Sequence, residues 1–218
     1  MASTSAHTLS SSSKWNSEVF LSFRGEDTRK NFVDHLFAAL SQRGIYTFKD
    51  DQQLRRGEDI SPALLKAIEE SRFALIVFSR NYASSKWCLD ELVKIIECKK
   101  TMGQTVVPVF YDVDPSEVRK QTGGFGSAFE IHEKDFSGNM EKVLRWKTAL
   151  VEAANISGYS VRDTANGHES KCIVQIVEEI FNKLNHRSPL AAQYLVGTES
   201  RVEKMKSLLS EGWMRFVL

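Results

Sequence analysis

The chain has 218 residues, 42% of them hydrophobic and 26% charged, with a formal net charge of +1. That length fits one globular domain with extensions better than two domains. Near-neutral charge supplies no field for nucleic acid or an anionic membrane, although local basic loops can still hold a phosphate. No apolar run approaches membrane-spanning length.

Residues 1–14 are mostly Ser, Thr and Ala. They lack the apolar stretch of a secretory signal and the Arg of an organelle transit peptide, so a disordered tail is expected. Glu18–Phe23 reads as the first strand. Asp27 or Thr28 can cap a helix that turns Phe32, Leu36, Phe37 and Leu40 inward and stops at Gly44. Ile45–Phe48 is a short second strand, followed by a polar loop over 49–59. Ser61-Pro62 starts a helix with Leu64, Leu65 and Ile68 on one face.

Phe73–Phe78 and Thr105–Tyr111 are nearly continuous hydrophobic runs, the pattern of strands buried on both faces of a parallel sheet. Between them Ser84–Val93 forms the first turns of a helix whose core stripe is Leu89, Leu92, Val93 and Ile96. Trp87, Glu91, Lys94 and Cys98 fall on its opposite flank. After the fourth strand, Asp112–Ser116 makes a turn and cap, and a broken helical stretch runs to about Asp135. Glu141–Asn155 is amphipathic through Val143, Leu144, Trp146, Leu150 and Ala154. Tyr159–Val161 is a candidate fifth, edge strand, and Lys171–Leu184 a last amphipathic helix.

Alternating strands and helices with short connections predict an α/β, flavodoxin-like open parallel five-stranded sheet. Its order is 2-1-3-4-5, with helices on both faces and a C-terminal helical extension. The expected organisation is a tail over 1–14, the main domain over 15–165, a helix over 166–186 that packs on or follows it, and a linker with a short helix over 187–218. Ligands of such sheets bind beyond the strands' carboxyl ends where the winding reverses, here between the first and third strands. The segments leaving those strands are Arg24–Arg29 and Ser79–Tyr82, and the second runs into the Trp87 helix. Spacing of four residues brings the Trp87 indole beside the Glu91 carboxylate. A surface Trp covering a loop is the plainer reading of that pair, but the topology puts it at the crevice and favours a ligand-facing wall. Cys88, Cys98 and Cys172 are odd in number without metal-ligand spacing, so they read as reduced thiols of a reducing compartment. The five histidines form no pairs at ligand spacing, and no metal is assigned.

Four ungapped stretches, Val19–Arg29, Ala67–Ser71, Asn81–Leu92 and Pro108–Ser116, occur in that order. Together they resemble the TIR domain of plant intracellular immune receptors, from about Lys14 to Ser160. Beyond Ser160, the last helix and Tyr194–Arg201 resemble the linker into a nucleotide-binding ATPase domain, whose phosphate-loop motif does not occur in this chain.

The resemblance implies hydrolysis of NAD⁺ or NADP⁺ at the nicotinamide–ribose bond, the dinucleotide being substrate and no cofactor being needed. It matches Glu91 to the family's catalytic Glu and makes Trp87 a wall of the site. Asp90, about 100° further round the helix, is the poorer candidate. Arg24 and Arg29 match nucleotide-binding positions and suit a pyrophosphate. The alternative is an ion pair with Glu26 or Asp27, which weighs more for Arg29 than for Arg24. The loop tipped by Arg55-Arg56-Gly57 resembles the family's mobile loop, and its alternative is a solvated charged loop. Cys88 resembles a position tied to a second activity on nucleic acid, against which a small buried thiol is preferred. Self-association is implied through two surfaces: the first helix, where only His35 of the family's Ser-His matches, and helices over 118–130 and 141–155 with the Gly158 turn. Other TIR-containing receptors are possible partners, a membrane is not, and the compartment implied is the cytoplasm and also the nucleus. A non-catalytic TIR–TIR adaptor is the alternative. A phosphoacceptor receiver of the same fold would need an Asp at the end of the third strand, where Ser79 stands.

Overall fold

A computed structural model describes residues 15–49 and 61–185. The chain divides into two compact units at Val177–Glu178, and the sheet belongs to the first. That sheet is five-stranded in the order β2-β1-β3-β4-β5, and every pairing is parallel. Its strands are β1 (Ser17–Phe23), β2 (Thr47–Lys49), β3 (Ser71–Phe78), β4 (Thr105–Phe110) and β5 (Tyr159–Ser160). The central strands are buried almost throughout, which is why their sequences run apolar without alternation.

β2 is shorter than Ile45–Phe48 and ends one residue later. Ile45 is buried, but the Tyr46 carbonyl is taken by the Glu18 and Val19 amides before regular pairing begins. The first helix is also split, into α1 (Gly25–Thr28) and α2 (Phe32–Gln42). Neither Asp27 nor Thr28 caps α2; the Asn31 side chain accepts from the Phe32 amide instead. Asp27 is engaged elsewhere, as described below.

α3 (Pro62–Glu69) starts at Ser61, whose hydroxyl accepts from the Leu64 amide. α4 (Lys86–Met102) follows a short 3-10 turn, Tyr82–Ser84. It is capped by Ser85 and ends on Gly103, whose φ of 71° is the left-handed conformation that glycine takes at little cost. The broken stretch after β4 is two helices, α5 (Pro115–Lys120) and α6 (Gly124–Asp135), parted by Gln121 and Gly123 at positive φ. α7 (Met140–Ala154) and α8 (Glu169–Asn185) complete the chain of helices.

Strand alternation divides the core. Phe20 of β1, with Ala74, Ile76, Phe78, Val106 and Phe110, packs against α3, α4, α6 and α7. Val19, Leu21 and Phe23 point to the other face, where Phe32 of α2 meets Tyr111 at 5.2 Å between ring centroids. One apolar assignment needs correction. Leu144 of α7 is 63% exposed, because α7 buries Val143, Trp146, Ala149 and Leu150 instead. On α4 the buried set is Cys88, Leu89, Glu91, Leu92, Ile95, Ile96 and Cys98, with Val93 only half-buried. α4 is therefore wedged between the sheet, α3 and α7, and the flank carrying Glu91 faces protein rather than bulk water.

Candidate functional site

The carboxyl ends of β1 and β3 are tied together by one acid. Asp27 accepts from the Ser79 hydroxyl at 2.6 Å, from the Asn81 amide at 3.1 Å and from the Asn81 side chain at 3.3 Å. This clamp leads the chain from β3 into the turn before α4 and fixes where α4 begins. His132 of α6 holds the same turn from behind. Its Nε2 lies 2.8 Å from the Ala83 carbonyl, which can only accept, so that nitrogen carries the proton. The ring is buried among Phe129, Phe136 and Trp146.

α4 then delivers Glu91 into the interior. Its residue is 7% exposed, and Oε2 accepts a 2.6 Å hydrogen bond from the Ser22 hydroxyl near the end of β1. Ser22 shares the Phe20 face of β1 by strand period, which is why it meets α4. Ser22 Oγ is also 2.9 Å from the Tyr82 hydroxyl, which in turn reaches the Cys88 carbonyl at 3.0 Å. Ser22 and Tyr82 are both fully buried, and burial, with Cys88 and Glu91 beside it, pushes the Tyr82 phenol well above its ordinary pKa. A buried acid costs free energy unless donors compensate it, and here the Ser22 hydroxyl, backed by Tyr82, supplies that compensation.

Trp87, one turn before Glu91, is half-buried. Cys88 between them points inward: its thiol donates to the Phe23 carbonyl at 3.5 Å. Burial, and next the Glu91 charge, push that thiol far up, which makes it a poor nucleophile at neutral pH. Arg24 is gripped by Glu26 and lies 3.5 Å from Asp27, with its side chain 20% exposed. The ion pair given less weight at Arg24 does form, since the turn of α1 folds both acids back over the guanidinium. Arg29 lies over the Phe23 ring, 5.2 Å from its centroid.

Asp90 does not enter this cluster. It accepts from Trp146 Nε1 at 2.7 Å and from Lys142 Nζ at 3.1 Å, both on α7. His35 is exposed on α2, next to Asp34, which pairs with Lys49 at 3.7 Å. Gly158 lies so close to β4 that a side chain there would run into the Pro108 carbonyl. Residues 50–60, with Arg55-Arg56-Gly57, the tail over 1–14 and the linker over 187–218 lie outside the described residues. Among the described residues no cluster of His, Cys, Asp and Glu could hold a metal ion, and no helix is long and apolar enough to cross a membrane.

Sequence reasoning missed Ser22, Tyr82, Asp27 and His132. The signal available was a polar atom inside an apolar run, Ser22 between Leu21 and Phe23 and Tyr82 after a buried strand. It says that a partner exists, but the partner of Ser22 is 69 positions away.

The TIR domain profile matches residues 17–198. The chain is 52% identical over 203 residues to the TMV resistance protein N of Nicotiana glutinosa, covering 93% of this chain and 18% of that protein. It is 55% identical over 212 residues to the disease resistance protein RPV1 of Vitis rotundifolia, covering 94% of this chain and 15% of that one. The chain thus spans less than a fifth of the length of these relatives. Among solved structures, the TIR domains of the activated Roq1 resistosome, which directly recognizes the pathogen effector XopQ, are 60% identical with a TM-score of 0.71. That likeness covers 76% of this chain and 99% of the other.

Proposed function

Because the chain belongs to the TIR domain family of plant disease resistance proteins, we propose that it hydrolyses NAD⁺ or NADP⁺ in plant innate immunity. The observation that supports this most directly is Glu91, a carboxylate 7% exposed beside the crevice where the sheet changes winding direction. Nicotinamide leaves a cationic pyridinium as a neutral molecule, so no acid need protonate it. One carboxylate therefore suffices where ordinary glycosidases use two. Glu91 stabilises the oxocarbenium-like charge on the ribose and binds its hydroxyls, most strongly in the transition state. Trp87 walls the nicotinamide ribose, and Arg24 and Arg29 meet the pyrophosphate, Arg24 after exchanging Glu26 and Asp27 for the phosphates. Water takes the place of nicotinamide at the ribose anomeric carbon, and a proton is released.

Activity in this reading depends on assembly, through α2 with His35 and through α5 to α7 with the Gly158 turn, with a second copy or another TIR-containing receptor. Dilution then lowers the rate per molecule. The nucleotide products signal in the cytoplasm or nucleus and set off defence, the hypersensitive response and cell death. No cofactor or metal enters the reaction.

The test is to incubate the purified chain with NAD⁺ across a range of protein concentrations and resolve the products by chromatography. Nicotinamide should accumulate, with a specific rate that climbs with protein concentration, and Glu91→Ala should stay folded and release none. A folded wild type that releases no nicotinamide at any concentration, with or without a crowding agent, leaves a non-catalytic TIR–TIR adaptor.

A further inference from the structure

We infer that Ser22 and Tyr82 are positioning residues that act through Glu91, forming a hydroxyl relay that keeps its carboxylate ionised and fixes its aim at the crevice. The kinetic consequence of this rests on the NAD⁺ hydrolase reading; the relay itself rests on geometry alone.

Three contacts run in series: Glu91 Oε2 to Ser22 Oγ at 2.6 Å, Ser22 Oγ to the Tyr82 hydroxyl at 2.9 Å, and the Tyr82 hydroxyl to the Cys88 carbonyl at 3.0 Å. The two hydroxyls own two protons, so they cannot donate across all three contacts at once. With Glu91 ionised, Ser22 donates to Oε2, and the Tyr82 proton is shared between Ser22 Oγ and the Cys88 carbonyl, the 3.0 Å contact to which needs Tyr82 as donor. A donor aimed at the charge is the arrangement that lowers a carboxyl pKa. With Glu91 protonated, the order reverses: the carboxyl O–H donates to Ser22, Ser22 to Tyr82, and Tyr82 to the Cys88 carbonyl. Only then are all three contacts filled. The relay therefore supports both states and favours the charged one, because a hydrogen bond to a charge outweighs one between neutral groups.

Packing alone explains neither hydroxyl. Ser22 sits inside an apolar strand and is fully buried, as is Tyr82, which could pack on Phe78 as well with a phenylalanine ring. Among the described residues, the titratable and charged groups that act in this cluster include the Cys88 thiol on α4 and, from the preceding turn, the Tyr82 phenol; both are pushed up by burial and stay neutral through the working range. At the β1 exit Arg24 and Asp27 act on the Cys88 position with opposite signs. Phe78 of β3 and Phe110 of β4 stack on each other at 5.6 Å in the core that α4 packs against.

The experiment compares wild type with Ser22→Ala and Tyr82→Phe, the second removing a single oxygen. It follows kcat/KM for nicotinamide release against pH, and the ¹³C signal of the Glu91 carboxyl against pH, assigned by its loss in Glu91→Gln. Thermal melts confirm that each variant is folded. Losing the Ser22 donor should move the acid limb and the carboxyl titration upward by about one pH unit, and losing the Tyr82 oxygen by about half a unit. Below the limb that is a loss of about tenfold and about threefold; above it, rates converge. Folded variants whose rates fall equally at every pH, with the carboxyl titration unmoved, would show that the hydroxyls merely pack and would overturn the inference. A wild type that releases no nicotinamide while its carboxyl titration responds to both variants would sink the hydrolase reading and keep the relay.

Discussion

Asp90 and Glu91 are adjacent on α4 and chemically alike, yet they sit in opposite kinds of surroundings. Asp90 is held by an indole N–H and an ammonium from α7, a pairing that joins two helices of the core. Glu91, about 100° round the helix, is held by a neutral serine hydroxyl backed by a phenol at the tip of β1. The first acid is matched by donors that complete a packing contact, so its loss reads out as stability. The second is buried at the end of β1 with a hydroxyl donor, so under the proposed hydrolysis its loss should read out as chemistry. Two neighbouring carboxylates part ways because α4 turns one towards α7 and the other towards the end of β1.

The comparison breaks most visibly on the Asp90 side. Trp146 is fully buried against Phe136 and His132, and Trp146→Ala should cost about 4 kcal/mol from the lost volume and the cavity left behind. Urea unfolding checks this; a loss below about 1 kcal/mol would mean that α7 does not anchor α4. Asp90→Ala leaves the indole N–H unpaired in the core and should cost about 2 kcal/mol. The rate per folded molecule should change by less than about twofold, since nothing of Asp90 enters the crevice. On the Glu91 side, Trp87→Ala should lower kcat/KM about tenfold at subsaturating NAD⁺. An unchanged rate would remove Trp87 from the pocket.

The smallest effect is alkaline. Burial raises the Cys88 and Tyr82 pKa values in the folded state, whereas in the unfolded chain the two groups ionise near their ordinary values of about 8.5 and 10. The neutral groups therefore contribute stability that is complete below about pH 8 and declines as pH rises past those unfolded values. Melting temperature should fall above about pH 9, and Tyr82→Phe together with Cys88→Ala should flatten that fall. An equally steep fall in the double variant would place its origin elsewhere.

The sheet order was legible because β3 and β4 are long apolar runs and the helices between them have period and caps. Trp87 and Glu91 were legible as a pair because helical spacing is local. What escaped was set by partners distant in sequence. Asp27 reads as a helix cap, but Ser79 and Asn81 outbid the local amides from more than fifty residues away, and α2 starts at Asn31 instead. Arg24 reads as a phosphate ligand, and the ion pair given less weight there forms because the turn of α1 brings Glu26 and Asp27 over it. Leu144 reads as core by period, yet it is exposed while Val143, Trp146, Leu150 and Ala154 of the same stripe are buried.

The most direct test sets the two neighbours side by side: nicotinamide release by Glu91→Gln and Asp90→Asn at equal concentrations of folded protein. The account predicts that Glu91→Gln, which keeps shape and removes only charge, falls by about a thousandfold or more, while Asp90→Asn stays within about threefold of wild type. A folded Glu91→Gln turning over at the wild-type rate, or a loss confined to Asp90→Asn, would contradict it.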